Sequence, residues 1–149
     1  MKHALIIAAL LAACGKGSDT PADAGDVIDC STDSRVMTYQ PGMSIASNNK
    51  TLTFTLVQSN PGPPAKGNDT WTIKVTDASS QPQPSLNLSV LPFMPDHGHG
   101  TSVNASITNN HDGTYTVTPL YFFMPGVWRI TFTSASPADS AVFFFCVPG

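Results

Sequence analysis

Beyond residue 35 apolar residues recur at every second position, a period that admits half-buried strands and excludes amphipathic helices. "KTLTFTLVQ" sets Leu52, Phe54 and Leu56 on one face, with Thr51, Thr53 and Thr55 on the other. "TWTIKVTD" repeats the pattern with Trp71, Ile73 and Val75, and "SLNLSVL" with Leu86, Leu88 and Val90. "SVNASI", "TYTVTPLYF", "VWRITFTS" and "AVFFFCV" continue the series. In the last of these, Val142, Phe144 and Cys146 share one face, and Phe143 and Phe145 the other. The dividers "SNPGPPAKGND", "ASSQPQP", "NNHDG" and "MPG" gather the Pro, Gly and Asn that end strands and form turns.

Seven or eight such strands in about 110 residues predict an all-β fold, an immunoglobulin-like antiparallel β-sandwich over residues 35–149. Trp71 and Trp128 are its natural core aromatics. Met37 and the phenylalanines are assigned to packing.

The opening "MKHALIIAALLAACGKG" has a short basic start, Lys2 and His3, then an apolar run from Ala4 to Ala13 that is too short to span a bilayer. It closes on "LAAC", Leu11 to Cys14, which resembles the lipobox of bacterial lipoproteins. That resemblance implies a signal peptide over residues 1–13 and a lipid on Cys14. Membrane attachment would then run through that anchor. Gly15 stands where an aspartate would signal retention in the inner membrane, so the expected location is the cell envelope, at the outer membrane facing the periplasm. Residues 14–34 hold five aspartates among Gly, Ser, Thr, Pro and Ala, a composition that predicts a solvated acidic tether.

Without Lys2 the ten acidic residues face six basic ones, a net charge near −4 that opposes binding to nucleic acid. All ten acids are Asp, so no glutamate can act as base or metal ligand. Cys30 and Cys146 stand at the two ends of the predicted domain, and export to an oxidising compartment makes a disulfide between them the expectation.

Catalytic constellations are missing. There is no G-x-S-x-G elbow, no Gly-rich phosphate loop and no free thiol once Cys14, Cys30 and Cys146 are assigned, so the chain reads as no enzyme. One stretch retains possible chemistry, "FMPDHGHGTS". On an extended backbone His97 and His99 leave the same side and can converge on one ion, with Gly98 and Gly100 giving the loop freedom to fold around it. "PFMPD" and "FFMPG" each place Phe-Met-Pro at a strand end, which adds Met94 and Met124 as candidate ligands. Two imidazoles and two thioethers form a soft-to-borderline set that suits copper, Cu(I) in particular. Asp96 or His111 could assist a divalent ion, though His111 in "NNHDG" reads first as a turn residue. The competing reading is a loop that joins two strands or contacts a partner protein, in a non-catalytic module without metal.

The segments "NPGPPAKGNDTWTIKV", "LPFMPDHGHGTS" and "DGTYTVTPLYFFMPGVWRITF" resemble, in order and spacing, the YtkA-like domain related to FixH-type proteins. The resemblance covers Asn60 to Phe132. It implies a small exported β-sandwich, frequently a lipoprotein and not an enzyme, and its FixH-type relatives are associated with copper supply during oxidase assembly. By motif it carries Met94, His97, His99 and Met124 as the candidate site, with a metal-delivery protein as possible partner. FixH-type proteins are held by a transmembrane helix, whereas the anchor expected here is the lipid on Cys14.

Overall fold

A computed structural model describes residues 29–149. The expected signal peptide, Cys14 and most of the expected tether lie outside the described residues. Nine strands form within them: β1 Met43–Ala46, β2 Leu52–Asn60, β3 Gly67–Asp77, β4 Leu88–Met94, β5 His99–Gly100, β6 Ser106–Asn109, β7 Thr114–Phe122, β8 Gly126–Ala135 and β9 Ala138–Val147. They pair antiparallel in two sheets, ordered β1-β2-β3-β7-β6 and β5-β4-β8-β9. The all-β sandwich expected from the periodicity is the fold, with nine strands rather than seven or eight. The additions are β1 and β5, both too short for alternation to reveal. "SVNASI" enters the sheet only at Ser106, because Val103 N–H donates to Thr101 Oγ1 at 3.1 Å in a turn that delays the strand.

The alternating residues meet between the sheets. Leu52, Phe54 and Leu56 of β2, Ile73 and Val75 of β3, and Tyr115 and Val117 of β7 face Ile130 and Phe132 of β8 and Phe143 and Phe145 of β9. Trp71 is fully buried at the centre, with the rings of Phe122, Phe132, Phe143 and Phe145 at 5.5–6.4 Å. A side chain of this size, so enclosed, contributes on the order of 3 kcal/mol through burial alone.

Two irregularities change which residues face inward. Between Asp69 and Trp71 of β3 the register with β7 shifts: Trp71 opposes Val117, but Asp69 opposes Leu120. Thr118 and Pro119 stand opposite the single residue Thr70, a one-residue bulge where proline has no N–H to offer a ladder. A second shift, between Leu56 and Gln58 of β2, turns Val57 out to 37 % exposure and buries Ser59.

The segment before β1 crosses the four-stranded sheet rather than leaving it. Cys30 and Cys146 are joined by a disulfide, with Cα atoms 5.3 Å apart. Met37 N–H donates to the Phe144 carbonyl at 2.9 Å, giving the β9 edge a backbone partner. Asp33, expected in a solvated tether, is instead held by Arg35 of the same segment at 2.6 Å.

Candidate metal centre

The topology brings four pieces of chain to one end of the sandwich: the end of β4, all of β5, the β7–β8 turn and the start of β8. Met94 closes β4 and is fully buried. It opposes His99 in the β4–β5 ladder, and directly paired residues of antiparallel strands project to the same side. His99 therefore sits on the core side of its strand, but beyond the packed layer, where it is exposed.

Between them Pro95–Gly98 forms a tight turn. Gly98 N–H donates to the Met94 carbonyl at 2.9 Å, and Gly98 takes φ +69°, which favours glycine. His97 thus lies in a turn and not on the extended backbone expected from His-x-His, because the chain reverses between Met94 and His99. The two glycines serve separate needs. Gly98 supplies the left-handed conformation, while a Cβ on Gly100 would stand 2.7 Å from the Pro92 carbonyl oxygen. Neither is simply slack for a ligand.

The imidazole pair survives this change of geometry. The ring centroids of His97 and His99 are 5.6 Å apart. Two imidazoles bound to one ion at about 2.0–2.1 Å place their centroids roughly 5–6 Å apart, so the separation is compatible with a shared ion. His99 also stacks on Phe123, with centroids at 5.6 Å and an interplanar angle of 29°, and Phe123 meets Trp128 edge-on at 5.7 Å. Trp128 Nε1–H donates to the Met124 carbonyl at 3.0 Å and fixes the turn that carries Met124, which is half-buried against the core. Gly126 has φ +134°, and a Cβ there would stand 2.7 Å from Met94 Cε, so the methyl end of Met94 fills the space beside that glycine. Met94, His99, Phe123 and Met124 all belong to this end.

The YtkA-like family model matches residues 46–133. The chain belongs to the YtkA-like family. No curated protein and no solved structure matches it. The matched span contains Met94, His97, His99 and Met124, whereas Arg35, Cys30, Cys146 and Asp139 lie outside it.

Within this YtkA-like chain the remaining candidates separate. His111 has φ +64° in the β6–β7 turn, and its N–H donates to Asn109 Oδ1 at 2.7 Å. That turn precedes Thr114, at the opposite end of β7 from Phe122, so His111 is remote from His97 and His99. Asp96 adjoins His97, but Arg35 grips both its oxygens, at 2.8 and 2.7 Å, and holds its carboxyl below the ordinary value. No group of three His, Cys, Asp or Glu residues that could hold a metal occurs among the described residues. A site on His97 and His99 must then complete its ligand set with methionine sulfur, solvent or a partner's side chain. A cleft of about 370 Å³ opens beside His97, walled by Asp33, Asp96 and the segment around Cys30.

Phe123 and Arg35 are the residues that sequence reasoning missed. Phe123 stood inside "FFMPG" but was assigned to packing. Arg35 carries no local signal of its link to the turn, because Asp96 is 61 positions away.

Proposed function

We propose that this YtkA-like protein is a lipid-anchored component of the bacterial cell envelope that binds copper at the open end of its sandwich. It acts as a chaperone or buffer without catalysis. The observation that carries the reading is the 5.6 Å spacing of the His97 and His99 rings, at the end to which Met94 and Met124 also belong. Imidazole nitrogen with thioether sulfur suits Cu(I) better than it suits magnesium, calcium or zinc. When bound, copper would be cargo. His97 and His99 would hold it from the solvent side, the Phe123 stack would orient the His99 ring, and Met94 and Met124 are the available sulfur ligands. Exposed ligands on the outer side suit hand-over to a metal-delivery partner. The signal-like leader and "LAAC" support an anchor on Cys14, in the outer membrane facing the periplasm.

The test is Cu(I) titration of the mature chain against a chromophoric chelator. Wild type is expected to bind one equivalent, and His97→Ala/His99→Ala to bind at least about 100-fold more weakly. Equal affinity in the two proteins removes the proposal. A shift of the Cys14→Ser variant from membrane to soluble fractions checks the anchor. A second reading, an interaction module without metal, draws on the His99–Phe123 stack, which gives that imidazole a packing role of its own. It predicts that the double variant changes partner binding and not metal content.

A further inference from the structure

Asp96 is the carboxylate adjoining His97 in the turn, and it is not left free. Arg35 Nη1 donates to Asp96 Oδ1 at 2.8 Å, and Nη2 to Oδ2 at 2.7 Å. The same guanidinium holds Asp33, through Nε to Oδ1 at 2.9 Å and Nη2 to Oδ2 at 2.6 Å. A planar fork fits two carboxylates in this way, where a lysine ammonium could not. The segment carrying Arg35 is itself anchored by the Cys30–Cys146 disulfide on one side and by the Met37–Phe144 backbone bond on the other. Arg35 therefore reaches the turn from a fixed support.

We propose that Arg35 is a positioning residue for metal selectivity: by holding both oxygens of Asp96, it denies a carboxylate ligand to the His97/His99 site and biases it toward Cu(I) over divalent ions. The proposal rests on the reading of His97 and His99 as metal ligands. The chemistry is that of ligand preference. Zinc, nickel and Cu(II) gain from a carboxylate oxygen added to two imidazoles, whereas Cu(I) takes nitrogen and sulfur and gains little. The Arg35 and Asp96 side chains are 36 % and 51 % exposed, so the pair is solvent-screened and its influence is a moderate one.

The experiment measures Cu(I) and Zn(II) affinities of the mature chain by chelator competition, for wild type, Arg35→Gln, Arg35→Lys, Asp96→Asn and Arg35→Gln/Asp96→Asn. Thermal melts of each protein verify the fold. Arg35→Gln is expected to tighten Zn(II) binding by roughly five- to tenfold and to leave Cu(I) within about twofold. Arg35→Lys should fall between wild type and Arg35→Gln, because an ammonium cannot hold both oxygens. In the Asp96→Asn background the zinc gain should vanish. An unchanged Zn(II) affinity in Arg35→Gln overturns the proposal. So does an equal gain with Asp96→Asn present, which would mark simple removal of a positive charge. If wild type and His97→Ala/His99→Ala bind Cu(I) equally weakly, the metal reading falls and this inference with it, an outcome distinct from a normal Cu(I) site with unaltered zinc selectivity.

Discussion

Asp139 and Asp69 are both buried, 6 % and 1 % exposed, and they stand toward opposite ends of the sandwich. Asp139 lies just past the β8–β9 turn, far from the histidines, and its carboxylate is saturated. It accepts from Ser47 Oγ at 2.5 Å, Thr51 Oγ1 at 2.6 Å, Ser140 N at 2.8 Å and Asn49 N at 3.0 Å. Asp69 lies nearer the histidine end, where Ser59 Oγ approaches Oδ2 at only 3.4 Å and Oδ1 has no partner of full hydrogen-bond geometry. Trp71 Nε1, which points its N–H toward the Asp69 carboxyl, and Arg129 Nε likewise lack a partner of full hydrogen-bond geometry. The carboxylate at one end is thus fully satisfied, although Ser134 Oγ, opposite it on β8, has no partner. The other end holds together by packing, a disulfide and the Arg35 clamp, and it retains polar groups that the fold leaves incompletely satisfied.

The largest expected effect comes from removing the covalent part of the histidine end. The disulfide spans 116 positions, and closing a loop of that length is worth about 4–5 kcal/mol in the chain-entropy model. Cys30→Ser/Cys146→Ser should lose most of this in urea unfolding. A loss under about 1 kcal/mol would mean that noncovalent contacts already hold the segment at that end.

The two aspartates make opposite predictions for pH. Burial pushes the Asp69 carboxyl up to about 6, against the lowering influence of the Ala65 amide, the Trp71 indole and Ser59. A raised folded-state value means that the folded chain binds the proton more tightly. The contribution of Asp69 is therefore fully present below pH 3.8 and lost as pH rises through about 6. Asp69→Asn should remove that loss and stabilise the protein at pH 8 by about 2–3 kcal/mol, with no gain at pH 4. Melts across that range check it, and a wild type whose stability does not fall between pH 5 and 7.5 would break the contrast.

Asp139 runs the other way. Burial alone would raise its carboxyl, but hydrogen bonds from Ser47, Thr51, Asn49 and Ser140 outweigh burial and hold it well below the ordinary range. Its contribution is present above pH 3.8 and is lost as pH falls further. Asp139→Asn is expected to lower Tm at pH 7 by roughly 5 °C and to flatten the acid limb of the stability profile. Together the two groups place their joint maximum near pH 4, where the Asp139 contribution is complete and that of Asp69 has only begun to fall. An Asp139→Asn protein that melts like wild type at pH 7 would make the hydrogen-bond network incidental.

The contrast also separates what the sequence disclosed from what it did not. Period-two alternation is a local consequence of the pleat, so the strands, the sandwich and the burial of Trp71 and Trp128 were legible. The disulfide was legible from compartment and placement, and Met94 and His99 were legible as neighbours in one motif. Asp69 was not. In "KGND" an aspartate looks like a turn residue, and only the start of β3 at Gly67 puts Asp69 on the inward face it shares with Trp71, Ile73 and Val75. The Arg35–Asp96 pair was hidden for a simpler reason: an ion pair between distant positions leaves no periodic trace. The form of the His97 turn was hidden as well, since His-x-His is equally consistent with an extended strand and with a reversal through a left-handed glycine.

The smallest expected effect concerns His111, at the far end. His111 sits at φ +64°, a left-handed conformation that Asn, Asp and His enter more often than other non-glycine residues, and its N–H is satisfied by Asn109 Oδ1. If its position is only a turn position, His111→Asn should stabilise the protein slightly, by about 0.5 kcal/mol, because Asn adopts that backbone conformation more readily. Cu(I) affinity should stay within twofold of wild type, while His99→Asn lowers it by at least about tenfold. Paired chelator titrations of the two single variants make the comparison under identical conditions. Equal losses from His111→Asn and His99→Asn would dissolve the distinction between the two ends, since the histidine that only shapes a turn would then matter as much as the one stacked on Phe123.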